Sequence, residues 1–179
     1  MTLEVHPTDV DESERADEDP AAYVTRVARS KALVVKRRPG QWVLAADTTV
    51  TIDGKILAKA ASPDEAAAML RQLSGRVHQV ITAFTLVGDV DDAPYHYDAI
   101  VSSDVAMIEM SPATLADYVA SGEWRGKAGA YAVQGIGAAL VREVRGSVTN
   151  VIGLPLVEVL EALAAVGAPA ARFTAGTPV

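Results

Sequence analysis

The sequence contains no cysteine, and this absence excludes several kinds of chemistry. Disulfides, thiolate metal sites and cysteine nucleophiles are all ruled out. Histidine is scarce as well: the three residues His6, His78 and His96 are scattered along the chain, without the spacing of a metal site. We interpret the histidines as structural or surface residues. The lack of cysteine also fits a cytoplasmic protein.

The chain also lacks a long apolar run and an excess of positive charge. No uncharged apolar stretch approaches the roughly 20 residues of a membrane span, and the start, "MTLEVHPTDV", does not resemble a secretory signal. The formal net charge of −7 argues against a nucleic-acid partner. Half of the 179 residues are apolar, which is enough for one sizeable core. We therefore expect a single cytoplasmic domain over 1–179, with no membrane and no nucleic-acid partner.

An acidic segment precedes the first predicted helix. Asp9 to Asp19 contains seven acids in eleven residues, which is typical of a solvated, mobile segment. A helix is predicted to begin at Pro20 with Asp19 as its N-cap. Lys31 falls on the apolar face of this helix, seven residues after Val24. Its ammonium therefore either reaches back to the surface or extends into a cleft.

Asp47 interrupts an apolar strand, "VLAADTTVTI". An ionised carboxylate in such a strand is costly unless it is paired or metal-bound. Two interpretations remain: Asp47 performs chemistry, or it is a structural acid with a satisfied partner.

The strand continues into a hairpin. Asp53-Gly54 is typical of a two-residue turn in which both central residues have positive φ. This turn pairs Ile52 with Lys55, and a continued ladder would place Thr48 opposite Lys59. Lys59 would then lie level with Asp47, although strict alternation requires a bend or bulge before the two side chains share a site.

The rest of the sequence alternates helix and strand signals. The expected elements are a helix capped by Ser62 and Glu65, strands at 77–87 and 97–110, a helix from Ser111 to Gly122, a glycine-rich segment at 125–137, a strand at 138–144 and a last helix from Pro155 to near Gly167. This order predicts an α/β or α+β fold with a central mixed sheet flanked by helices.

Together these segments resemble the Maf nucleotide pyrophosphatases, in one collinear order over nearly the whole chain. The stretches that carry the resemblance are "PTDVDE" (7–12), "ARSKA" (28–32), "AADTTVTIDGKILAK" (45–59), "LSGRVHQVITAFTL" (73–86), "YVASGEWRGKAGAYAVQGIGA" (118–138) and "GSVTNVIGLPL" (146–156). The resemblance implies the ITPase-like Maf fold, with two lobes around a cleft. It also implies hydrolysis of a nucleoside triphosphate to the monophosphate and pyrophosphate with Mg²⁺ or Mn²⁺, a cytoplasmic setting and a homodimer.

The resemblance assigns roles to individual residues. It implies that Asp47 is the catalytic acid or base and holds the metal, and that Glu12 is an acidic metal or water ligand. It places Lys31 and Lys59 towards the phosphates. The chemistry is consistent, because water attack needs a carboxylate base and lysines can steady a leaving pyrophosphate.

The same resemblance identifies three further residues. Thr48 and Gln134 match the branch of the family that acts on dTTP and UTP, and Gln134 offers the donor and acceptor that a pyrimidine edge requires. Lys127 matches the family's glycine-rich loop, but an ordinary surface lysine explains it equally well.

The match to the family is incomplete. The family's first strand and its Ser-x-Ser-x-Arg-Arg loop have no counterpart here, Gly126 replaces an aspartate, and Ala60 replaces a proline. The chain is thus N-terminally truncated relative to the family, either because its start is assigned too far downstream or because the protein lacks these parts. We expect slow turnover that an extension carrying the loop would restore. The alternative function is a catalytically impaired nucleotide-binding or regulatory protein linked to cell division arrest.

Overall fold

The computed structural model describes residues 3–168 of the chain. The helices are α1 (Pro20–Val34), α2 (Pro63–Leu73), α3 (Pro112–Ser121), α4 (Val148–Ile152) and α5 (Leu156–Ala165), with a 3₁₀ helix at Gly135–Leu140. The strands are β1 (Val43–Ile52), β2 (Lys55–Leu57), β3 (Val77–Val90), β4 (Ala93–Met107) and β5 (Val141–Arg145). The mixture of helices and strands confirms the predicted class. Among the helices of residues 3–168, none has the length and apolar character needed to cross a bilayer.

The five strands form one sheet in the order β2-β1-β3-β4-β5. The sequence predicts a mixed sheet, but all four pairings are antiparallel. A tight turn at Asp91 and Asp92, both of which have positive φ, joins β3 directly to β4, and the connections that contain α2 and α3 also return β3 and β5 antiparallel to their neighbours. The residues between the two expected strands, 88–96, are thus mostly strand with a tight turn, and both strands are longer than expected.

Helices cover both faces of the sheet. On one face, Val24 and Ala28 of α1 pack against Ile81 and Ala83 of β3. The other face carries the larger core, in which α2 and α3 pack against strand residues such as Val50, Val80 and Val105. Because neighbouring residues of a strand point to opposite faces, Asp47, which pairs with Ala83, lies on the α1 face, and Thr48 lies on the other.

The predicted hairpin is confirmed near its turn. Asp53 and Gly54 have φ of 52° and 72°, and Ile52 pairs with Lys55. The ladder then stops at Leu57, so Thr48 is not paired with Lys59 as a continued ladder required. Lys59 instead forms a bridge with Ala128. Lys59 therefore reaches the neighbourhood of Asp47 because the chain leaves the sheet after Leu57, and not through a bend or a bulge in the ladder.

Helix ends follow the sequence signals closely. Asp19 accepts from the N–H groups of Ala21 and Ala22, as an N-cap does. Gly122 ends α3 with φ of 74°. Ser62 caps α2, although the Glu65 carboxylate accepts from Ala61 N and not from Ser62 N. The capping box is therefore shifted by one residue.

The acidic segment is more ordered than the sequence indicates. The guanidinium of Arg26 on α1 donates to Glu18, at 2.6 Å and 2.7 Å, and to the carbonyl of Ser13 at 2.9 Å. The Tyr23 hydroxyl donates to the carbonyl of Glu12 at 2.9 Å. These contacts hold residues 12–18 against α1, so the expectation of a solvated, mobile segment is wrong for Glu18; Glu12, which the family resemblance sets apart from that segment, is held as well.

Helix α4, which the sequence did not indicate, is fixed by a buried amide. The Asn150 side chain is fully buried and donates to the carbonyl of Val80 at 3.0 Å and to Ser103 Oγ at 2.9 Å. Ser103 Oγ in turn donates to the carbonyl of Ser147 at 3.1 Å. Because buried polar groups are costly without partners, these bonds fix the position of α4 over β3 and β4.

His78 is a second buried polar residue, and its environment predicts a pH dependence of stability. It is 2% exposed, and its Nε2 lies 2.8 Å from the Tyr131 hydroxyl. Burial lowers the pKa of His78 from 6.5 to about 4. Between those pH values the unfolded chain binds a proton at His78 and the folded chain does not. Stability is therefore lost as the pH falls. We expect the titration of His78 alone to lower the unfolding free energy by about 2 kcal/mol when the pH falls from 7 to 5.

Chemical denaturation of the His78→Gln variant checks this expectation, because glutamine retains a partner for Tyr131 and does not titrate. The variant should lose less unfolding free energy than the wild type over the same pH range. Equal losses in the two proteins would contradict the assignment.

Candidate active site

A cavity of about 270 Å³ lies beside β1, where β2 has ended. Five of the seven residues singled out from the sequence line it, namely Asp47, Thr48, Lys59, Lys127 and Gln134. Its remaining walls come from the sheet, the 126–134 segment and α4, with Ala46, Val50 and Val80 from the sheet and Val151 and Ile152 from α4. The cavity therefore forms where the edge of β1, the glycine-rich segment and α4 meet.

Lys31 and Glu12 join this group through ion pairs and not through the cavity wall. The Lys31 ammonium lies 2.7 Å from Asp47 Oδ1 and 2.6 Å from Glu12 Oε1. The other oxygen of Glu12 lies 3.1 Å from the ammonium of Lys59. One ammonium therefore bridges two carboxylates, so the Lys31 side chain turns inward beside the cavity and does not reach back to the surface. Its side chain is only 19% exposed.

The electrostatics of this cluster follow from its burial. Burial raises the pKa of Asp47 above its ordinary value, and the hydrogen bond from Lys31 opposes that rise. The hydrogen bond from Lys31 is also the main reason that the pKa of Glu12 is lowered. Burial acts to lower the pKa of Lys31, but its bonds to Asp47 and Glu12 outweigh this and raise it. The cluster thus contains a carboxylate more basic than usual beside a firmly charged ammonium.

Thr48 faces away from Asp47 and into the protein. Its hydroxyl lies 2.8 Å from the hydroxyl of Thr82 and 3.4 Å from the carbonyl of Gly153, which follows α4. Thr82 in turn donates to the carbonyl of Asn150 at 3.1 Å. Thr48 therefore both lines the cavity and ties β1 to the end of α4.

Lys59, Lys127 and Gln134 are exposed to solvent at the cavity. The bridge between Lys59 and Ala128 places the two lysines on adjoining segments. A cavity with these two ammonium groups on its wall suits an anionic ligand. Lys127 had two interpretations, a residue of the family's loop or an ordinary surface lysine. The structure fits both, because Lys127 is exposed and also lines the cavity.

Two contacts beside the site were missed in the sequence. The Glu123 carboxylate accepts from the N–H groups of Ile136 and Gly137, just after Gln134. The Tyr118 hydroxyl accepts from Ala132 N at 3.2 Å. Neither residue has a local pattern that reveals its partner, because each contact spans 13 or 14 residues. The nearest hint was the pair of glycines in "QGIG".

These features define a class of protein: a sheet protein with an acid–lysine cluster at the edge of a cavity suited to a small anion. A family model described as "Maf-like protein" matches residues 1–166, so the chain belongs to the Maf family.

Relatives of similar length support this assignment. A protein of Anaeromyxobacter dehalogenans strain 2CP-1 is 46% identical over 169 residues, which cover 94% of this chain and 86% of the relative. One of Rhodospirillum rubrum is 48% identical over 164 residues, covering 91% and 77%. One of Myxococcus xanthus strain DK1622 is 45% identical over 166 residues, covering 92% and 82%. Each of the three is named dTTP/UTP pyrophosphatase.

Proposed function

We propose that this chain is a nucleoside triphosphate pyrophosphatase that hydrolyses dTTP and UTP to the monophosphate and pyrophosphate. The observation that carries the proposal is the position of Asp47, whose carboxylate is paired with Lys31 at the rim of a cavity that Lys59, Lys127 and Gln134 also line. The names of the relatives, which match at 45–48% identity, support the same activity.

In the proposed reaction, Asp47 acts as the general base. Its carboxylate accepts a proton from a water molecule as the water oxygen forms a bond to the α-phosphorus. The bond from that phosphorus to the bridging oxygen of the β-phosphate breaks, and pyrophosphate leaves with the bonding electrons. A carboxylate with a raised pKa is a stronger base than an exposed one, so the burial of Asp47 favours this role.

Lys59 and Lys127 supply positive charge to the phosphates. Both ammonium groups lie at the cavity, where they can stabilise the charge that develops on the leaving pyrophosphate. Lys31, by contrast, contacts two carboxylates, so we propose that its main role is to orient Asp47 and Glu12. Gln134 then contacts the pyrimidine edge, and Thr48 supports the wall beside it.

The acidic residues also suit a divalent cation. Asp47 and Glu12 already share one cation, the Lys31 ammonium, and carboxylate oxygens are the ligands that Mg²⁺ and Mn²⁺ prefer. Residues 3–168 contain no cluster of three or more metal-binding side chains. Water and phosphate oxygens would complete such a site, as is usual for Mg²⁺ in nucleotide enzymes. The bound ion would neutralise charge on the phosphates.

A pyrophosphate-release assay tests the proposal. With Mg²⁺ or Mn²⁺, kcat/KM for dTTP and UTP should exceed that for ATP and GTP by about tenfold or more. A chain that binds UTP without releasing pyrophosphate would contradict the enzyme and favour the nucleotide-binding regulatory alternative. Equal rates with all nucleotides would contradict the assignment of substrate.

We further propose that residues 1–179 work as one domain, in a cytoplasmic homodimer without nucleic-acid or membrane partners. The net charge of −7 supports the absence of a nucleic-acid partner, since phosphate backbones repel an acidic surface. Sedimentation equilibrium measures the oligomeric state directly, and a monomer at micromolar concentration would contradict the dimer.

A further inference from the structure

We propose that Glu123 is a positioning residue that fixes the orientation of Gln134, and that it thereby sets selectivity for the nucleotide base. The part of this inference that concerns selectivity rests on the function proposed above. The structural part is that the Glu123 carboxylate holds the loop at 132–137 through hydrogen bonds to its backbone, a contact that we call the latch. This part rests on geometry alone.

The latch consists of two short hydrogen bonds to consecutive backbone groups. Glu123 Oε1 accepts from Ile136 N at 2.8 Å, and Oε2 accepts from Gly137 N at 2.6 Å. Bonds from backbone N–H groups to an ionised carboxylate are stronger than those between neutral groups. Partial burial acts to raise the pKa of Glu123, but these two N–H groups, together with the Tyr118 hydroxyl, outweigh it and hold the pKa below its ordinary value. The carboxylate is therefore charged at neutral pH.

The carboxylate takes the place of a missing helix cap. The 3₁₀ helix begins at Gly135, and within residues 3–168 its N-cap, Gln134, makes no capping bond with its side chain. The first N–H groups of a helix need acceptors, and a negative charge there is favourable. Because Glu123 satisfies the N–H groups of Ile136 and Gly137, the Gln134 amide is spared for another partner.

Two glycines, Gly135 and Gly137, allow the loop to lie close to the Glu123 carboxylate. A Cβ on Gly135 would lie 2.1 Å from Glu123 Oε1, and φ at this residue is 71°. A Cβ on Gly137 would lie 3.0 Å from Glu123 Oε2 and 2.2 Å from the carbonyl oxygen of Ala132. Side chains at either position would push the loop away from Glu123. The close approach explains why both positions are glycine.

Glu123 lies at the end of α3, which fixes its position beside Gln134. Glu123 directly follows Gly122, the C-cap of α3, and its neighbour Trp124 is 3% exposed and donates to the carbonyl of Val119. The Tyr118 hydroxyl on α3 holds the other side of the loop by accepting from Ala132 N. Gln134 thus lies between two fixed points, and an amide held in one orientation can distinguish bases by its donor and its acceptor.

Two variants and one control test the inference. Glu123→Gln keeps the shape but places an amide donor against one of the two N–H donors, and Glu123→Ala removes the latch. Asp117→Asn is the matched control, because it removes one negative charge from an exposed position on α3. Amide hydrogen exchange of Ile136 and Gly137 is measured by NMR for each protein. The two Glu123 variants should lose at least about tenfold in protection, and the control should not change.

The same proteins are then compared in kinetics. For Glu123→Gln, we expect KM for UTP to rise about tenfold or more, and the preference for UTP over ATP to fall. The inhibition constant of inorganic tripolyphosphate, which has no base, should stay within about twofold. A general structural defect would weaken the binding of UTP and of tripolyphosphate together.

Each outcome decides one part of the inference. Unchanged exchange in the Glu123 variants overturns the latch. Faster exchange with unchanged preference for UTP overturns the role in selectivity. A wild-type protein that releases no pyrophosphate from UTP overturns the proposed function and the role in selectivity with it, whereas the exchange result still decides the latch.

Discussion

Replacing Asp47 by asparagine should reduce kcat for UTP hydrolysis by about 100- to 10,000-fold, the range typical for loss of a general base. Asparagine has almost the same shape, and its oxygen can still accept from Lys31, so the cluster should remain in place. What the variant lacks is a group that can take a proton from water. The measurement is steady-state release of pyrophosphate from UTP, with far-ultraviolet circular dichroism to verify folding.

Asp53→Asn is the matched control for this substitution. Asp53 lies on the same hairpin, at its exposed turn, where its carboxylate pairs with Arg76. Asparagine also adopts the positive φ that this turn requires, so the variant should keep the full rate. If Asp47→Asn retained the wild-type rate while Asp53→Asn did too, Asp47 could not be the base, and the proposed mechanism would have to be abandoned.

The parts of the fold that could be predicted from the sequence are those whose causes are local. The N-cap at Asp19, the turn at Asp53-Gly54 and the αL residue at Gly122 all depend on residues within one turn of the chain. Asp47 was identifiable for a similar reason, because a single acid in an apolar strand stands out against its neighbours. These features needed no knowledge of the tertiary structure.

The parts that could not be predicted depend on contacts between distant residues. A continued ladder would have paired Lys59 with Thr48, but the ladder stops at Leu57, and Lys59 forms its bridge with Ala128, far along the chain. Helix α4 is short and depends on Asn150, which binds Val80 and Ser103. A helix of five residues is too short to show a periodic pattern in the sequence, and it is not stable by its own propensity.

The site shows the same division. Its residue types could be assigned through family resemblance, but their arrangement could not. The resemblance places Lys31 towards the phosphates, and that role stays a prediction; what the resemblance does not give is that the Lys31 ammonium lies between Glu12 and Asp47. The Tyr23 hydroxyl, which donates to the carbonyl of Glu12, helps to hold Glu12 in this position against α1. The acidic run in which Glu12 lies looks solvated in the sequence, since no local pattern marks that contact.

The position of Lys31 leads to the second large effect. Replacing Lys31 by methionine removes the ammonium that both carboxylates share and leaves Asp47, whose side chain is only 10% exposed, without its close partner. Removing one member of a buried ion pair is costly because the other charge stays desolvated. We expect kcat/KM for UTP to fall about 100-fold, because Asp47 and Glu12 lose the contact that orients them.

A binding measurement separates this role from direct contact with phosphate. Without nucleotide, the wild-type ammonium occupies the space between the two carboxylates, so its removal should strengthen Mn²⁺ binding by about tenfold, measured by electron paramagnetic resonance. Lys59→Met is the matched control: the Lys59 side chain is 59% exposed, and within residues 3–168 its ammonium pairs with one carboxylate, that of Glu12 at 3.1 Å, so it should change Mn²⁺ affinity much less. If Mn²⁺ bound no more tightly to Lys31→Met than to the wild type, Lys31 would not compete with a cation for these carboxylates. Its effect on the rate would then have to come from contact with the substrate.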